Sequence, residues 1–175
     1  MFFRYVDLLW AAGVNGEGSS VITFSFVDCL LSNTEISDLC IVCTAKSTLS
    51  SKLISLNTCD AAKLSSRNIH LIHLPKVFRM YPIHFAIKCF FPAGLWFRRC
   101  VVFDDYPFRL CPRQLLYFHQ ASLIFSSSLL WKIKRFAFVM LKTKSLTINF
   151  QTYHIRDSYT RVFGKCNSLC LLHNI

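Results

Sequence analysis

From Gln114 to Trp131 the chain runs for 18 residues without a formal charge. It then meets Lys132, Lys134 and Arg135, with Lys142 and Lys144 close behind. No other feature constrains the fold as much. A membrane-spanning helix needs about 20 predominantly apolar residues, so the length falls just short. The content is poorer still, because Gln114, His119, Gln120, Ser122, Ser126, Ser127 and Ser128 are polar. The run cannot be extended past Trp131, since each basic residue at the centre of a membrane helix costs roughly 2.5–3.5 kcal/mol. If the stretch spans, its five C-terminal cations outnumber Arg109 and Arg113 on the other flank and set the C-terminal side in the cytoplasm.

The second half reads better as a surface helix. Leu129, Leu130, Ile133, Phe136, Ala137, Met140 and Leu141 recur at i, i+3, i+4 and i+7, while Lys132, Arg135 and Lys142 fall away from that face. A basic amphipathic helix of this kind lies on an anionic bilayer or in a partner's groove. The competing reading is a helix that turns the same stripe to the core and solvates its lysines.

With 175 residues, the chain is long enough for one domain with a core. It is 53% hydrophobic and 17% charged, against roughly 25% charged in typical soluble domains. Disorder is not expected from this composition, because disordered chains are apolar-poor and charge-rich. Aggregation is the greater hazard, with apolar windows at Val21–Val27, Cys89–Phe91, Leu95–Phe97 and Val101–Phe103. Phe, Leu and Ser abound (17, 23 and 18), whereas Glu occurs only at Glu17 and Glu35 and Gly only five times. Phe, Leu, Ser and Cys are read largely from pyrimidine-rich codons. The bias is that of a translated pyrimidine-rich stretch, a reading frame not selected for a fold.

The net charge of +11 divides unevenly: residues 1–60 carry −3 and residues 61–175 carry +14. A basic half favours nucleic acid or anionic lipid. Its cations are scattered singly and in pairs among apolar residues, a pattern suited to weak, salt-sensitive binding.

Nine cysteines at irregular spacing in a chain of this length do not indicate a disulfide framework, though they leave one open; buried thiols in a reducing compartment are expected. The N-terminus has Arg4 before an apolar run Leu8–Val14, but Asp7 adjoins a run at the bottom of the usual ~7–15-residue signal-peptide core, so cleavage is not expected. Residue 2 is Phe and the tail Leu172-His173-Asn174-Ile175 lacks a cysteine, so neither lipidation pattern is met.

The candidate chemical sites are weak. Cys40-Ile41-Val42-Cys43 is a CxxC on an apolar run that reads as a strand, which sends the two thiols to opposite faces. His70 and His73 fail for the same reason. Cys166, Cys170 and His173 fall at i, i+4 and i+7 on an expected terminal helix, yet they spread over about 10 Å of axis and lack a fourth zinc ligand. Asp104-Asp105 reads as a turn before Pro107. Gly13, Gly16 and Gly18 have the wrong spacing for a phosphate loop, and no serine stands in a G-x-S-x-G setting. Phe97-Arg98-Arg99 and Lys132–Phe136 mix aromatics with cations, as single-strand binders do. No catalytic, cofactor-binding or metal residue is assigned.

The expected elements are a helix over Phe2–Val14, a loop over Asn15–Ser20, and strands at Val21–Val27, Leu39–Thr44, Asn68–Leu74 and Leu146–Phe150. A helix is expected within 114–144 and another at Cys166–His173. Five prolines between Pro75 and Pro112 break any helix there longer than about two turns. The expected fold is α+β, with short, irregular strands and helices at the margin of stability. It forms a single region without clear domain division, with a soft boundary near residue 62. The first functional expectation is a chain with no identifiable biochemical activity and no enzyme function, from a non-functional reading frame. The alternative is a small membrane-associated protein anchored by the apolar and basic helical stretch at 115–141. A second alternative is a basic nucleic-acid-associating protein. An anionic membrane surface ranks ahead of nucleic acid as partner. No small-molecule substrate or cofactor is inferred. The expected location is at a membrane or inside a cell.

Overall fold

Strands β1 (Phe3–Asp7), β2 (Leu39–Thr44), β3 (Ile69–Leu74), β4 (Phe97–Val102), β5 (Gln114–Phe118), β6 (Thr147–Phe150) and β7 (Asn167–Cys170) lie parallel in one sheet of order β3-β2-β1-β4-β5-β6-β7. The computed structural model describes residues 3–7, 17–44, 61–103, 106–118 and 121–170. Helices α1 (Glu17–Ser32), α2 (Ala61–Ser66), α3 (Tyr81–Phe90), α4 (Ala93–Trp96), α5 (Ser122–Phe125), α6 (Leu129–Leu141) and α7 (Tyr153–Phe163) fall between the strands. Helices and strands are mixed and short, as the α+β reading expects.

The pleat divides the core in two. Cys40, Val42, Cys100, Val102, Leu116, Phe118, Ile148 and Phe150 point to one face, where Leu123, Phe138 and Tyr159 from α5, α6 and α7 cover them. Leu39, Ile41, Cys43 and Ile69 point to the other, beneath Val27 of α1 and Leu64 of α2. Alternate side chains of one strand serve opposite layers, so the central strands are apolar throughout.

The beginnings of β2 and β3 are tied together. Asp38 and Asn68 both have positive φ (55° and 54°), a conformation that short polar side chains tolerate best. Asn68 Nδ2 donates to Asp38 Oδ1 at 2.7 Å. The Arg67 guanidinium donates to the carbonyls of Leu30, Leu31, Asn33 and Ile36. It thus satisfies the end of α1 and sets a cation at the helix's negative pole.

The structure corrects several expectations. Val21–Val27 lies inside helix α1 instead of forming a strand. Its alternation is short, and Val27, Leu30 and Leu31 continue at helical spacing to pack on the second core layer. In place of a helix over Phe2–Val14, Phe3–Asp7 is strand β1; residues 8–14 lie outside the described residues. The Asn15–Ser20 loop gives way to the first turn of α1 from Glu17 onward. Helix α3 runs for 10 residues among the prolines, longer than expected, because Pro82 occupies the first turn, where a missing N–H costs nothing. Instead of a terminal helix, Asn167–Cys170 is the edge strand β7.

The uncharged run Gln114–Trp131 is not one helix. It divides into β5, α5 and the first residues of α6, with His119 and Gln120 outside the described residues. Among the described residues no helix is long and apolar enough to cross a membrane. Leu116, Tyr117 and Phe118 are buried in the sheet. A doubly covered parallel strand reads in sequence like a fragment of membrane helix, since both are continuously apolar. Gln114, which counted against spanning, is a buried clamp. Its Oε1 accepts from Phe108 N at 2.9 Å, and its Nε2 donates to Phe108 O at 2.7 Å and Cys111 O at 2.9 Å.

Candidate functional site

Helix α6 begins after Ser128, which has an extended backbone. It contains no glycine, proline or acidic residue. Its inward side is narrow. Ala137, Phe138 and Leu141 are buried, and the Phe138 ring meets Phe118 and Tyr159 edge-on at 6.2 and 6.0 Å between centroids. A second apolar line runs along the outside. Leu129, Ile133, Phe136 and Met140, at i, i+4, i+7 and i+11, are all exposed, Leu129 by 73% and Phe136 by 68%. Leu130 and Val139 extend the line on either side. The stripe expected from sequence therefore splits: Ala137 and Leu141 turn to the core, and the other five face solvent.

The basic residues around this helix do different work. Lys132 is exposed on the outer side. Lys134 Nζ lies 4.3 Å from the centroid of the Trp131 ring. Arg135 is a staple: its guanidinium donates to Leu123 O at 2.8 Å and to Ser126 O, holding the loop after α5 against α6. Lys142 Nζ donates to Phe163 O at 3.0 Å, at the end of α7, where a cation suits the helix dipole. Helix α3 flanks α6 on the same sheet face. It exposes Ile83 and Phe90, with Met80 just before it, and buries Tyr81, Phe85 and Ile87 to varying depth against the core. No Asp or Glu occurs between Asp105 and Asp157, so the helix α6 surface carries cations without nearby carboxylates in sequence.

The other candidates do not converge. Cys40 and Cys43 face opposite core layers. Each sits across from a histidine in the β2–β3 register: Cys40 from His70, Cys43 from His73. Cys43 Sγ and His73 Nδ1 are 3.3 Å apart, and Cys43 is buried in the second core layer. Burial pushes the Cys40 thiol up to about 11. Cys166 precedes β7 and Cys170 ends it, while His173 lies outside the described residues. Among the described residues no group of three or more His, Cys, Asp or Glu could hold a metal ion. Phe97 is half-buried and packs against Phe91 with centroids 6.2 Å apart. In open parallel sheets ligands sit at the carboxyl ends of strands where the order reverses, here β1 and β4. Residues 8–16 and 104–105, with Gly13, Gly16 and Asp104-Asp105, lie outside the described residues.

Comparison with known proteins adds no assignment: no family model, no curated protein and no solved structure matches this chain.

Proposed function

We propose that this chain is a peripheral membrane-associated protein that docks on an anionic bilayer through the outer face of α6. The observation that carries this reading is the exposed line Leu129–Ile133–Phe136–Met140. Fully burying an apolar side chain of this size stabilises by roughly 1.5–3 kcal/mol, and four in a row give interfacial insertion a substantial gross driving force. Each lysine or arginine near an anionic surface adds about 1 kcal/mol, and Lys132 sits beside the stripe. A helix of 13 residues is about 20 Å long, too short to cross a hydrocarbon core of ~30 Å. Its mode is to lie in the interface plane. Nucleic-acid binding is the weaker reading, because Arg67, Arg135 and Lys142 are committed to backbone carbonyls.

The test is co-sedimentation with vesicles of phosphatidylserine and phosphatidylcholine, against pure phosphatidylcholine, across a salt series. Binding favoured by phosphatidylserine, surviving high salt in part, released by detergent and lost in Phe136→Asp supports the reading. Binding only to single-stranded DNA, vanishing steeply with salt, overturns it. So does a dimer that Phe136→Asp dissociates without any vesicle binding. A chain that neither binds vesicles nor unfolds cooperatively returns the question to an unselected reading frame.

A further inference from the structure

Cys100 and Cys111 bring two sulfurs into contact, away from the exposed line of α6. Cys100 lies in β4 and Cys111 on the segment leading into β5. Both are 1% exposed thiols, with Sγ to Sγ 3.2 Å. A disulfide bond is ~2.05 Å long, so closure requires a contraction of about 1.2 Å. The turn carrying Cys111 is held in place by the Gln114 amide. On its open side Cys111 forms part of a pocket of about 440 Å³, between Leu95, Arg109, Pro112 and Thr143. The pocket lies at the amino ends of β4, β5 and β6, with Cys111 in its wall.

We propose that Cys100 and Cys111 form a redox-active dithiol, oxidised to an intramolecular disulfide by a small peroxide that enters the pocket beside Cys111. Cys111 is the attacking thiol. Its acidity is raised above that of an ordinary cysteine, chiefly by the hydrogen bond with Cys100, which outweighs burial; the Arg113 backbone and the Lys88 charge assist. In the dithiol Cys111 donates to Cys100; once Cys111 loses its proton, the Cys100 thiol donates back to it. The Cys111 thiolate attacks one peroxide oxygen. The O–O bond breaks and hydroxide departs, taking up a proton as water, which leaves Cys111 a sulfenic acid. Cys100 then attacks that sulfur. The S–O bond breaks, and hydroxide leaves with the Cys100 proton as a second water. Two thiols lose two electrons in all, and one peroxide is reduced to two waters.

The experiment uses the full chain in solution, without membranes, so its outcome is separate from that of the docking reading. Hydrogen peroxide is added in steps, free thiols are alkylated, and a tryptic digest is read by mass spectrometry. Cleavage after Arg99, Arg109 and Arg113 places Cys100 on peptide 100–109 and Cys111 on peptide 110–113. The expected result is that these two peptides become joined at the lowest peroxide dose, and separate on adding dithiothreitol. In Cys100→Ser the sulfenic acid on Cys111 should persist and be trapped by dimedone. The inference is overturned if the wild-type pair stays alkylatable while the exposed Cys29 oxidises, or if Cys111 is joined instead to another cysteine.

Discussion

Helices α6 and α7 cover the same sheet face, and each sets one fully buried ring against it. Phe138 of α6 and Tyr159 of α7 meet edge-on at 6.0 Å, and both contact Phe118 of β5. Their outer sides differ. Helix α7 shows His154, Asp157 and Arg161 to solvent, the usual arrangement for a helix packed on one side. Helix α6 shows Leu129, Ile133, Phe136 and Met140. Helix α7 exposes Tyr153 and Val162 as well, but nine residues apart and not as a line, so covering the sheet does not itself require an apolar line. The outer line of α6 is thus not dictated by packing on the sheet, and contiguous exposed apolar residues are the usual mark of an interaction surface, which is what the docking proposal rests on.

The strongest test of this comparison strikes the shared inner anchors. Phe138→Ala and Tyr159→Ala should each destabilise the chain by about 3–5 kcal/mol, read from urea unfolding, because both empty the same aromatic cluster. Two very different losses would mean that the helices are not equivalent on their inner sides, and the contrast between their outer sides would lose its control.

Outer-face substitutions should separate the helices. Phe136→Asp should weaken vesicle binding by about 2 kcal/mol, roughly thirtyfold, while shifting unfolding stability by no more than about 0.5 kcal/mol. Val162→Asp, on the exposed side of α7, should leave both unchanged. Equal effects at the two sites in a vesicle titration would remove the reason for assigning docking to α6.

Much of this architecture is legible in sequence where a short apolar run ends at a clear breaker. Leu39–Thr44 is strand β2, and Asn68–Leu74 contains β3, stopped by Pro75. The outer line of α6 is legible too, but not as an outer line. Helix α6 is apolar on two sides, and periodicity alone cannot say which side a sheet will claim. Phe138 decides it, because its ring fits the space between Phe118 and Tyr159, partners 20 and 21 residues away in sequence. The roles of Gln114, Arg67 and Arg135 were equally hidden. Each binds carbonyl groups distant in sequence or beyond a turn, and side chain to backbone bonds of that kind leave no residue pattern. The Cys100–Cys111 contact arises because β4 and β5 pair in parallel, a register that cysteine spacing does not reveal.

The inner anchors also differ in one atom. The Tyr159 hydroxyl is buried without a hydrogen-bond partner among the described residues, whereas Phe138 carries no polar group. Burial first, and the neighbouring Cys166 second, push the Tyr159 phenol above the ordinary tyrosine value of 10. Tyr159→Phe should therefore stabilise the chain by about 1–2 kcal/mol. In the wild type, above pH 10 the unfolded phenol ionises while the folded one stays neutral. The unfolded state then binds fewer protons, and stability falls as pH rises. Chemical unfolding at several alkaline pH values should show that Tyr159→Phe removes this part of the decline; an unaltered pH profile would place the titration elsewhere.

The smallest predicted difference lies at the helix starts. Helix α7 is capped by Thr152, whose Oγ1 accepts from Ile155 N at 3.3 Å. Helix α6 starts after Ser128, whose side chain makes no such bond to the helix. An N-cap threonine that satisfies an otherwise orphaned N–H contributes about 1 kcal/mol. Thr152→Ala should thus lower stability by about 1 kcal/mol, and Ser128→Ala by less than about 0.5 kcal/mol. Equal losses in urea unfolding would mean that Ser128 caps α6 in solution as Thr152 caps α7. The first turn of α6, with Leu129 and Leu130, would then be fixed from both ends. A near-zero loss at Ser128 alongside a clear one at Thr152 would leave that turn held only by Arg135 and the inner face, so that it can settle its leucines into an interface without first breaking a cap.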